Sequence, residues 1–265
     1  AEAIARQELP NAAITLSHRI GRIGLLEREN AAILNAALSS LAARVLDAFT
    51  QAIDDLGLTA PLYISQNDGT LMTAAHAVRY PVLTFASGPT NSMRGAAVLS
   101  GLNDALVADI GGTTTDIGLL LDGFPREAAM TVEVGGVRTN FRMPDLLTLG
   151  LGGGSLVRDG GKHIGPDSVG FELEQRALVF GGDSLTMSDI AVSAGQMDLG
   201  DPANVARLDS VQATLARAAE MIEAALERVR PSATTLPVIL VGGGAPVLSG
   251  NSISGGKIVR PGHGQ

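Results

Sequence analysis

One polar turn constrains the fold of this chain more than any other segment, because an apolar run lies on each side of it. Residues 106–110 and 117–121 both have the composition of a buried strand, and the polar residues between them are concentrated at a single turn. Apolar periodicity of 3.6 residues elsewhere in the chain predicts helices that cover such strands. The sequence therefore predicts an α/β fold in which two adjacent strands present a polar turn at their shared end.

The composition of this turn indicates a phosphate and metal site. Glycine permits close backbone approach, so the N–H groups of Gly111, Gly112 and Thr113 can point at one anion. The hydroxyls of three consecutive threonines would donate to phosphate oxygens, and two carboxylates would bind Mg²⁺ or its waters. These residues are Thr113, Thr114 and Thr115, with Asp109 and Asp116. A simple hairpin turn is the alternative, but it does not require two carboxylates beside three threonines.

A second glycine-rich turn follows the predicted strand at residues 237–241. Without side chains, the backbone of Gly242, Gly243 and Gly244 can approach a flat nucleobase closely. A strand followed by glycines is often only a tight turn, but together with the turn at Asp109 it favours a nucleotide site. A helix predicted over residues 205–229 precedes this strand and ends before Pro231.

The first hundred residues have a simpler pattern of alternating strands and helices. The predicted elements are a strand at 13–16, a helix at 27–56, a strand at 62–65, an extended segment at 80–85 and a helix at 91–100. Ser87-Gly88-Pro89 is expected to form a turn before the last of these helices.

Composition excludes several classes of function. The 265-residue chain has no cysteine, so it has no disulfide framework, thiolate nucleophile or cysteine zinc site. A formal charge of −8 argues against general affinity for nucleic acid. We expect neither a signal peptide nor an apolar run of the ~18 residues that cross a bilayer, and therefore a cytoplasmic protein without a membrane role.

The turn at residues 109–116 resembles the second phosphate-binding loop of the actin, sugar kinase and acetate kinase superfamily, in the DxGGTxTD form of the hydantoinase A/oxoprolinase family. Further matches follow the order of that family: Ser87-Gly88-Pro89, Gly152-Gly153-Gly154-Ser155, residues 164–170, Gly181-Gly182 and residues 186–189. Two departures accompany them. Residues 171–178 replace a PGPACYG-like segment, and residues 1–65 lack the superfamily's earlier phosphate loop. The chain is therefore expected to be a piece of a longer protein, or to lack a partner lobe.

The resemblance implies an actin-like ATPase lobe of the ribonuclease H-like type, with a mixed sheet flanked by helices, at residues 102–265. Residues 1–101 would be the remainder of a first lobe with its connecting helices. The implied cofactors are ATP and Mg²⁺, with Asp109 and Asp116 as catalytic and metal residues. The phosphates would contact the Gly111 to Thr115 turn, and the nucleoside would contact Gly242 to Gly244. The implied substrate contacts are Gly153, Gly154, Ser155 and Asp189.

The implied activity is ATP-dependent ring opening of a cyclic amide or imide, through phosphorylation of its carbonyl oxygen. A hydantoinase B-type partner subunit and a homo-oligomer are further expectations. An acetone carboxylase-type subunit, a nucleotide-dependent switch without catalysis, and an inert chain are the alternatives. At the residue level, the spacing of Thr186, Ser188 and Asp189 also suits a helix N-cap. Ser155 has no assignable histidine or aspartate partners, which argues against a serine hydrolase.

Overall fold

The fold is known from a computed structural model that describes residues 2–129, 131–231 and 235–262. Within these ranges the α-helices are α1 Glu2–Glu8, α2 Leu26–Asp55, α3 Ala74–Arg79, α4 Ser87–Ser100, α5 Leu173–Arg176, α6 Met187–Ser193 and α7 Val211–Val229. The strands are β1 Tyr63–Ser65, β2 Leu71–Thr73, β3 Ala105–Ile110, β4 Thr115–Leu121, β5 Phe124–Pro125, β6 Val132–Val134, β7 Val137–Thr139, β8 Leu146–Leu149, β9 Ser155–Arg158, β10 His163–Ser168, β11 Val238–Val241, β12 Ser252–Ile253 and β13 Gly256–Val259.

The packing divides the chain into two compact units. The first unit extends to Asn91 and includes Glu127–Asp145, and the second consists of Ser92–Arg126 and the chain from Leu146 onward. The first unit thus includes the β6–β7 hairpin, which comes from a later part of the sequence. The predicted division into lobes at residues 1–101 and 102–265 stays a prediction, because a packing unit and a family lobe are different definitions.

The second unit is built on a mixed sheet. Its strand order is β12-β13-β11-β3-β4, and both β5 and β8 pair with β4 on its other side. Strands β3 and β4 are antiparallel, whereas β11 runs parallel to β3. The predicted strands on each side of the polar turn are therefore confirmed as neighbours in one sheet.

Both faces of β3 are covered, and successive side chains alternate between the two faces. Leu106, Ala108 and Ile110 belong to the buried cluster that includes residues of α6 and α7. Ala105 and Val107 instead pack with the cluster that contains Met93, Ala96 and Ala97 of α4. The alternation places Asp109 on the same side of β3 as Ala105 and Val107, the side that faces α4.

Helix α7 confirms the helix predicted in the last third of the chain, but it begins later than predicted. Its apolar stripe is buried on the sheet, whereas Pro202–Val205 form a separate 3₁₀ turn. Ser210 precedes α7 with a φ of +62°, a left-handed conformation that a continuous helix cannot contain. The predicted start at residue 205 is therefore wrong.

Helix α2 of the first unit has an unexpectedly exposed apolar surface. The helix predicted at residues 27–56 is confirmed, but only Ala31, Asn35 and Leu46 are buried along it. A window of 18 residues within α2 has a mean hydropathy of 1.4, which meets the length and composition criteria for a membrane span. The expectation of no such apolar run is therefore wrong. Length and composition alone do not make α2 a membrane span, because core helices of soluble proteins and signal sequences meet the same criteria.

Three local predictions in the first unit also differ from the structure. Residues 13–16 form no strand, because no neighbouring strand pairs with them. The segment predicted to be extended contains a 3₁₀ turn at Pro81–Thr84, and proline at its first position fits the fixed φ of that residue. Ser87 to Pro89 form the first turn of α4 rather than a separate turn, since proline is tolerated there.

Candidate functional site

Two glycine loops meet at the β3–β4 turn, which is itself a glycine loop, and backbone hydrogen bonds join them to it. The N–H of Gly244 donates to the carbonyl of Ile110 at 2.7 Å. The N–H of Gly153 donates to Gly111 O at 2.9 Å, and that of Gly154 donates to Gly112 O at 2.6 Å. The turn is therefore held by the loop at residues 152–154 and by the loop at residues 242–244.

The close packing of these loops explains several of their glycines. A Cβ added at Gly152 or at Gly244 would lie 2.7 Å from the carbonyl oxygen of Gly111. At Gly242 the φ is +92°, and a Cβ would lie 2.4 Å from Asp109 Oδ1. Any larger residue at these three positions would force backbone atoms or the Asp109 carboxylate to move.

Two glycines of the same loops have no such structural explanation. A Cβ at Gly112 or at Gly243 would meet nothing within 4 Å, and neither residue has a positive φ. Both glycines line the same cavity. Packing does not require glycine at these positions, whereas the close approach of a ligand to the backbone would require it.

The cavity beside the three loops, called here the glycine cavity, has a volume of about 530 Å³. This volume lies in the range of small-molecule and cofactor sites. One part of its lining is glycine backbone, from Gly111, Gly112, Gly153, Gly154, Gly243 and Gly244. The other lining residues are Leu173, Ser188, Gln196, Met197, Asp198, Leu199 and Pro246.

Free backbone donors are present at the glycine loops. The N–H of Gly111 is used within the turn, where it donates to Thr114 O at 2.9 Å. Among the hydrogen bonds of the described residues, none has the N–H of Gly112, Thr113 or Gly243 as its donor. All three residues are exposed, so these N–H groups are available to an anion.

Asp109 and Asp116 lie directly opposite each other in the β3–β4 register. Both are half-buried, and Thr148 Oγ1 donates to Asp116 Oδ1 at 2.5 Å. Burial raises the pKa of Asp116 above its usual value, the hydrogen bond from Thr148 opposes this shift, and the charge of Asp109 adds to it. Two carboxylates placed side by side concentrate negative charge, and a bound cation would relieve their repulsion.

The carboxylate pair fits Mg²⁺ better than a cation that needs many protein ligands. Within the described ranges, no group of three or more His, Cys, Asp or Glu side chains could hold a metal ion. Mg²⁺ usually binds through one or two carboxylates and completes its octahedron with water and substrate phosphates. Neither Asp109 nor Asp116 is among the residues lining the glycine cavity.

The three consecutive threonines have different environments. Thr113 is exposed and Thr114 is half-buried, so both hydroxyls can reach a ligand. Thr115 is fully buried, and its Oγ1 donates to the carbonyl of Leu151 at 2.6 Å. The prediction that Thr115 binds phosphate does not fit this position, because its hydroxyl holds the 150–155 segment against the sheet.

Ser155 and Asp189, predicted as substrate contacts, have structural hydrogen bonds instead. Ser155 is fully buried, and its Oγ accepts the N–H of Gly152 at 2.9 Å. Asp189 is fully buried and accepts hydrogen bonds from the N–H groups of Thr186 and Val179, both at 2.7 Å. With Thr186 it forms a capping box at the start of α6, which confirms the alternative N-cap interpretation.

The segment at residues 196–199 is the part of the cavity that the sequence analysis did not assign. It contributes Gln196, Met197, Asp198 and Leu199 to the lining. The segment follows Gly195, which ends α6 with a φ of +71°. A glycine after a helix is a readable signal for a helix end. It does not indicate that the next four residues face a cavity, because that depends on where the distant glycine loops lie.

Comparison with known proteins places this site in a family. A protein-family model described as Hydantoinase/oxoprolinase matches residues 28–245. The chain is 25% identical over 250 residues to caprolactamase subunit alpha of Pseudomonas jessenii, covering 89% of this chain and 35% of that protein. It is also 25% identical over 194 residues to the acetophenone carboxylase gamma subunit of Aromatoleum aromaticum strain DSM 19018 / LMG 30748 / EbN1. This match covers 70% of this chain and 26% of that protein. The chain thus spans about a third of the length of the first relative and about a quarter of the second.

Solved structures give the fold. The crystal structure of ATP-dependent caprolactamase from Pseudomonas jessenii matches with a TM-score of 0.71 and 21% identity, covering 91% of this chain and 40% of that one. Nucleotide-free acetone carboxylase matches with a TM-score of 0.60 and 18% identity, covering 85% of this chain and 36% of that one. These matches and the mixed sheet flanked by helices confirm the predicted α/β class and actin-like ATPase fold.

Proposed function

The chain belongs to the hydantoinase/oxoprolinase family, and on this basis we propose that it binds ATP in the glycine cavity and works in ATP-dependent opening of a cyclic amide or imide. One observation carries the nucleotide assignment. Gly112 and Gly243 line the cavity, yet packing gives no reason for the absence of their side chains. A phosphate chain lying against their backbone supplies that reason.

The residues of the site would have distinct roles in phosphoryl transfer. The N–H groups of Gly112 and Thr113 would donate to phosphate oxygens, and the free N–H of Gly243 would do the same, in place of the nucleoside contact expected for Gly243 from the resemblance. Asp109 and Asp116 would hold Mg²⁺ and orient the attacking group, so that charge developing on the phosphates is neutralised. Thr113 and Thr114 would add hydroxyl donors. Bound ATP would supply the phosphoryl group that makes a ring carbonyl a better electrophile toward water.

A carboxylase role is a second candidate, because two of the similar proteins are named as carboxylases. The nucleotide site would have the same task in either reaction, and only the acceptor would differ. The two candidates therefore need to be separated by product analysis rather than by the geometry of the cavity.

We also propose a partner subunit for this chain. The relatives are named as subunit alpha of one enzyme and gamma subunit of another, so both belong to multi-subunit enzymes. A hydantoinase B-type subunit is the partner that the family resemblance implies. It would contribute to the site of the ring substrate, for which the predicted contacts Ser155 and Asp189 are too buried.

Nucleotide binding is tested by calorimetric titration of Mg-ATP into three proteins: the wild type, Asp109→Ala and Asp209→Ala. Asp209 is exposed and is a matched control outside the site. The proposal expects binding to the wild type and to Asp209→Ala, and loss of binding in Asp109→Ala. Absence of binding in the wild type, at concentrations that detect millimolar affinity, would contradict the proposal that this chain forms the site.

The reaction is tested by phosphate release from ATP with the partner subunit added. Stimulation by hydantoin, 5-oxoproline or caprolactam, with appearance of the ring-opened acid, would support the amidohydrolase. Stimulation only by a ketone with bicarbonate would support the carboxylase instead. Nucleotide binding without stimulation by either group of substrates would favour a nucleotide-dependent switch.

A further inference from the structure

We propose that Thr148 is a positioning residue, whose hydroxyl holds one oxygen of the Asp116 carboxylate and leaves the other oxygen for Mg²⁺ or its waters. The inference rests on the proposed function, in which Asp109 and Asp116 hold the ion that accompanies ATP. Neither the family match nor the sequence motifs assign a role to Thr148, which lies in β8 outside the DxGGTxTD turn.

Three neighbouring strands place polar side chains in one row. Asp116 of β4 is the register partner of Asp109 of β3 on one side and of Thr148 of β8 on the other. Register partners in antiparallel strands point to the same face of the sheet, with Cβ atoms about 4.5–5.5 Å apart. Asp116 is therefore the central member of the row, and Thr148 is its neighbour on the β8 side.

Apolar side chains cover the same face of the sheet next to this row. A Cβ added at Gly118 would lie 2.7 Å from Met93 Sδ and 2.9 Å from Leu146 Cδ2, so both side chains lie over Gly118. Gly118 follows Asp116 by two residues in β4 and therefore shares its face. Asp116 is half-buried beside this apolar surface, whose side chains have no hydrogen-bond donor for a carboxylate, whereas Thr148 is exposed.

The hydrogen bond from Thr148 restricts the rotation of the Asp116 carboxylate. Thr148 Oγ1 donates to Asp116 Oδ1 at 2.5 Å, a length typical of a bond from a hydroxyl to an ionised carboxylate. The terminal torsion of an aspartate has only broad preferences of its own, so a bond to one oxygen fixes the direction of the other. Among the hydrogen bonds and ion pairs of the described residues, none involves Asp116 Oδ2. This oxygen is therefore free to bind a cation.

The other end of the row lies against the loop that follows β11. A Cβ at Gly242 would lie 2.4 Å from Asp109 Oδ1, so this carboxylate is packed against the Gly242 backbone. The next residue, Gly243, lines the glycine cavity. This contact joins the carboxylate pair to the proposed nucleotide site. Carboxylates that bind metals are usually held by hydrogen bonds from outer partners, and Thr148 supplies such a bond to Asp116.

The test measures by calorimetry how much Mg²⁺ strengthens ATP binding, as the ratio of the dissociation constants in EDTA and in saturating Mg²⁺. Thr148→Val removes the hydroxyl and keeps the shape of the side chain, whereas Thr148→Ser keeps the hydroxyl. Thr70→Val is the matched control. Thr70 is also exposed, and its Oγ1 donates to Oδ1 of the half-buried Asp68 at 2.6 Å, in the turn between β1 and β2.

We expect the wild type, Thr148→Ser and Thr70→Val to have the same ratio. In Thr148→Val the ratio should fall by about 10-fold, the lower end of the effects seen when a metal ligand loses its outer partner. Its ATP affinity in EDTA should stay that of the wild type, because the hydroxyl acts only through the ion. Thr148→Ala also lacks the hydroxyl and should give the same ratio as Thr148→Val.

A ratio that is undiminished in Thr148→Val, or equally diminished in Thr148→Ser, would overturn the inference. Equal loss of ATP affinity in Mg²⁺ and in EDTA would show a merely structural role and would also overturn it. If the wild type binds ATP equally well in both conditions, the carboxylate pair holds no ion and the inference fails, while the nucleotide site is still supported. A wild type that binds no ATP in either condition would reject the proposed function, and this inference with it.

Discussion

Thr113 and Thr115 are chemically identical and two residues apart, yet their environments are opposite. Thr115 is the first residue of β4, where alternation places it on the same side as Ile117 and Leu119 of the large core cluster. Thr113 precedes the strand and is exposed. At the residue scale, the strand boundary decides which hydroxyl holds the fold and which one is available to a ligand.

Substitution by valine should separate these two roles. Thr115→Val keeps the shape but leaves the Leu151 carbonyl without its donor, so we expect the free energy of unfolding to fall by about 1–3 kcal/mol. Thr113→Val should unfold like the wild type in urea and should weaken Mg-ATP binding in calorimetry. Equal stability of the two variants would show that the buried hydrogen bond contributes little.

The carboxylate of Asp116 should make stability depend on pH in the metal-free protein. Its raised pKa means that the folded state holds the proton more tightly than the unfolded chain does. The resulting stabilisation is present below the ordinary carboxyl pKa and is lost as the pH rises through the raised value. Burial dominates this shift, and repulsion from Asp109 adds to it.

Asp116→Asn carries a permanently neutral amide and should remove this dependence. We expect its free energy of unfolding, relative to the wild type, to be higher at neutral pH than at about pH 3.5. Urea denaturation at both values measures the difference, and Asp209→Asn is the exposed control, with the same relative stability at both. If the free energy of unfolding of Asp116→Asn, relative to the wild type, is lower at neutral pH than in acid, the assigned direction of the pKa shift is contradicted.

At the scale of elements, the loop at residues 242–244 contains glycines with two different physical causes. Gly244 is packed against Gly111 O and the Ile110 side chain, whereas Gly243 faces open space. The β11 strand before the loop is fully buried between β3 and β13, so the loop cannot move away as a unit. Substitution of Gly244 therefore tests the packing of the fold, whereas substitution of Gly243 tests ligand binding.

Alanine substitution in this loop should give opposite results at neighbouring positions. Gly244→Ala forces a Cβ to within 2.7 Å of Gly111 O, so we expect a loss of about 1–3 kcal/mol in the free energy of unfolding. Gly243→Ala should keep the stability of the wild type and lose affinity for Mg-ATP. Thermal unfolding and calorimetry on both variants measure this, and unchanged ATP affinity in Gly243→Ala would oppose a phosphate at that position.

At the scale of the whole molecule, the three loops come from distant parts of the sequence but belong to one packing unit. A ligand that binds them should therefore stabilise this unit. A free ATP concentration of about 100 times the dissociation constant would add about 2.7 kcal/mol to the stability of the binding-competent state.

Hydrogen exchange with and without Mg-ATP should locate this effect. We expect slower exchange in peptides that cover residues 109–116, 150–155 and 242–246, and little change in the β1–β2 hairpin of the first unit. Mass spectrometry of peptic peptides measures both regions in one sample. Protection confined to the first unit would contradict the nucleotide assignment.

Much of the fold follows from local sequence signals. The strands on each side of Gly111 and Gly112, the long helix α2 and the strand before Gly242 all carry periodicity or a stop signal within their own residues. The DxGGTxTD turn carried the family assignment for the same reason, since its residues are contiguous. Local patterns failed at residues 13–16, which form no regular element, and at 80–85, which contain a 3₁₀ turn, because the presence of a pairing strand is not a local property.

The sequence by itself determined which residues could carry the chemistry, and the tertiary structure decided which of them are available for it. Glycines, carboxylates and hydroxyls are chemical identities, so they are read directly from the chain. Exposure is set by contacts between distant segments, which is why Thr115, Ser155 and Asp189 are buried while Gly112 and Gly243 line the cavity.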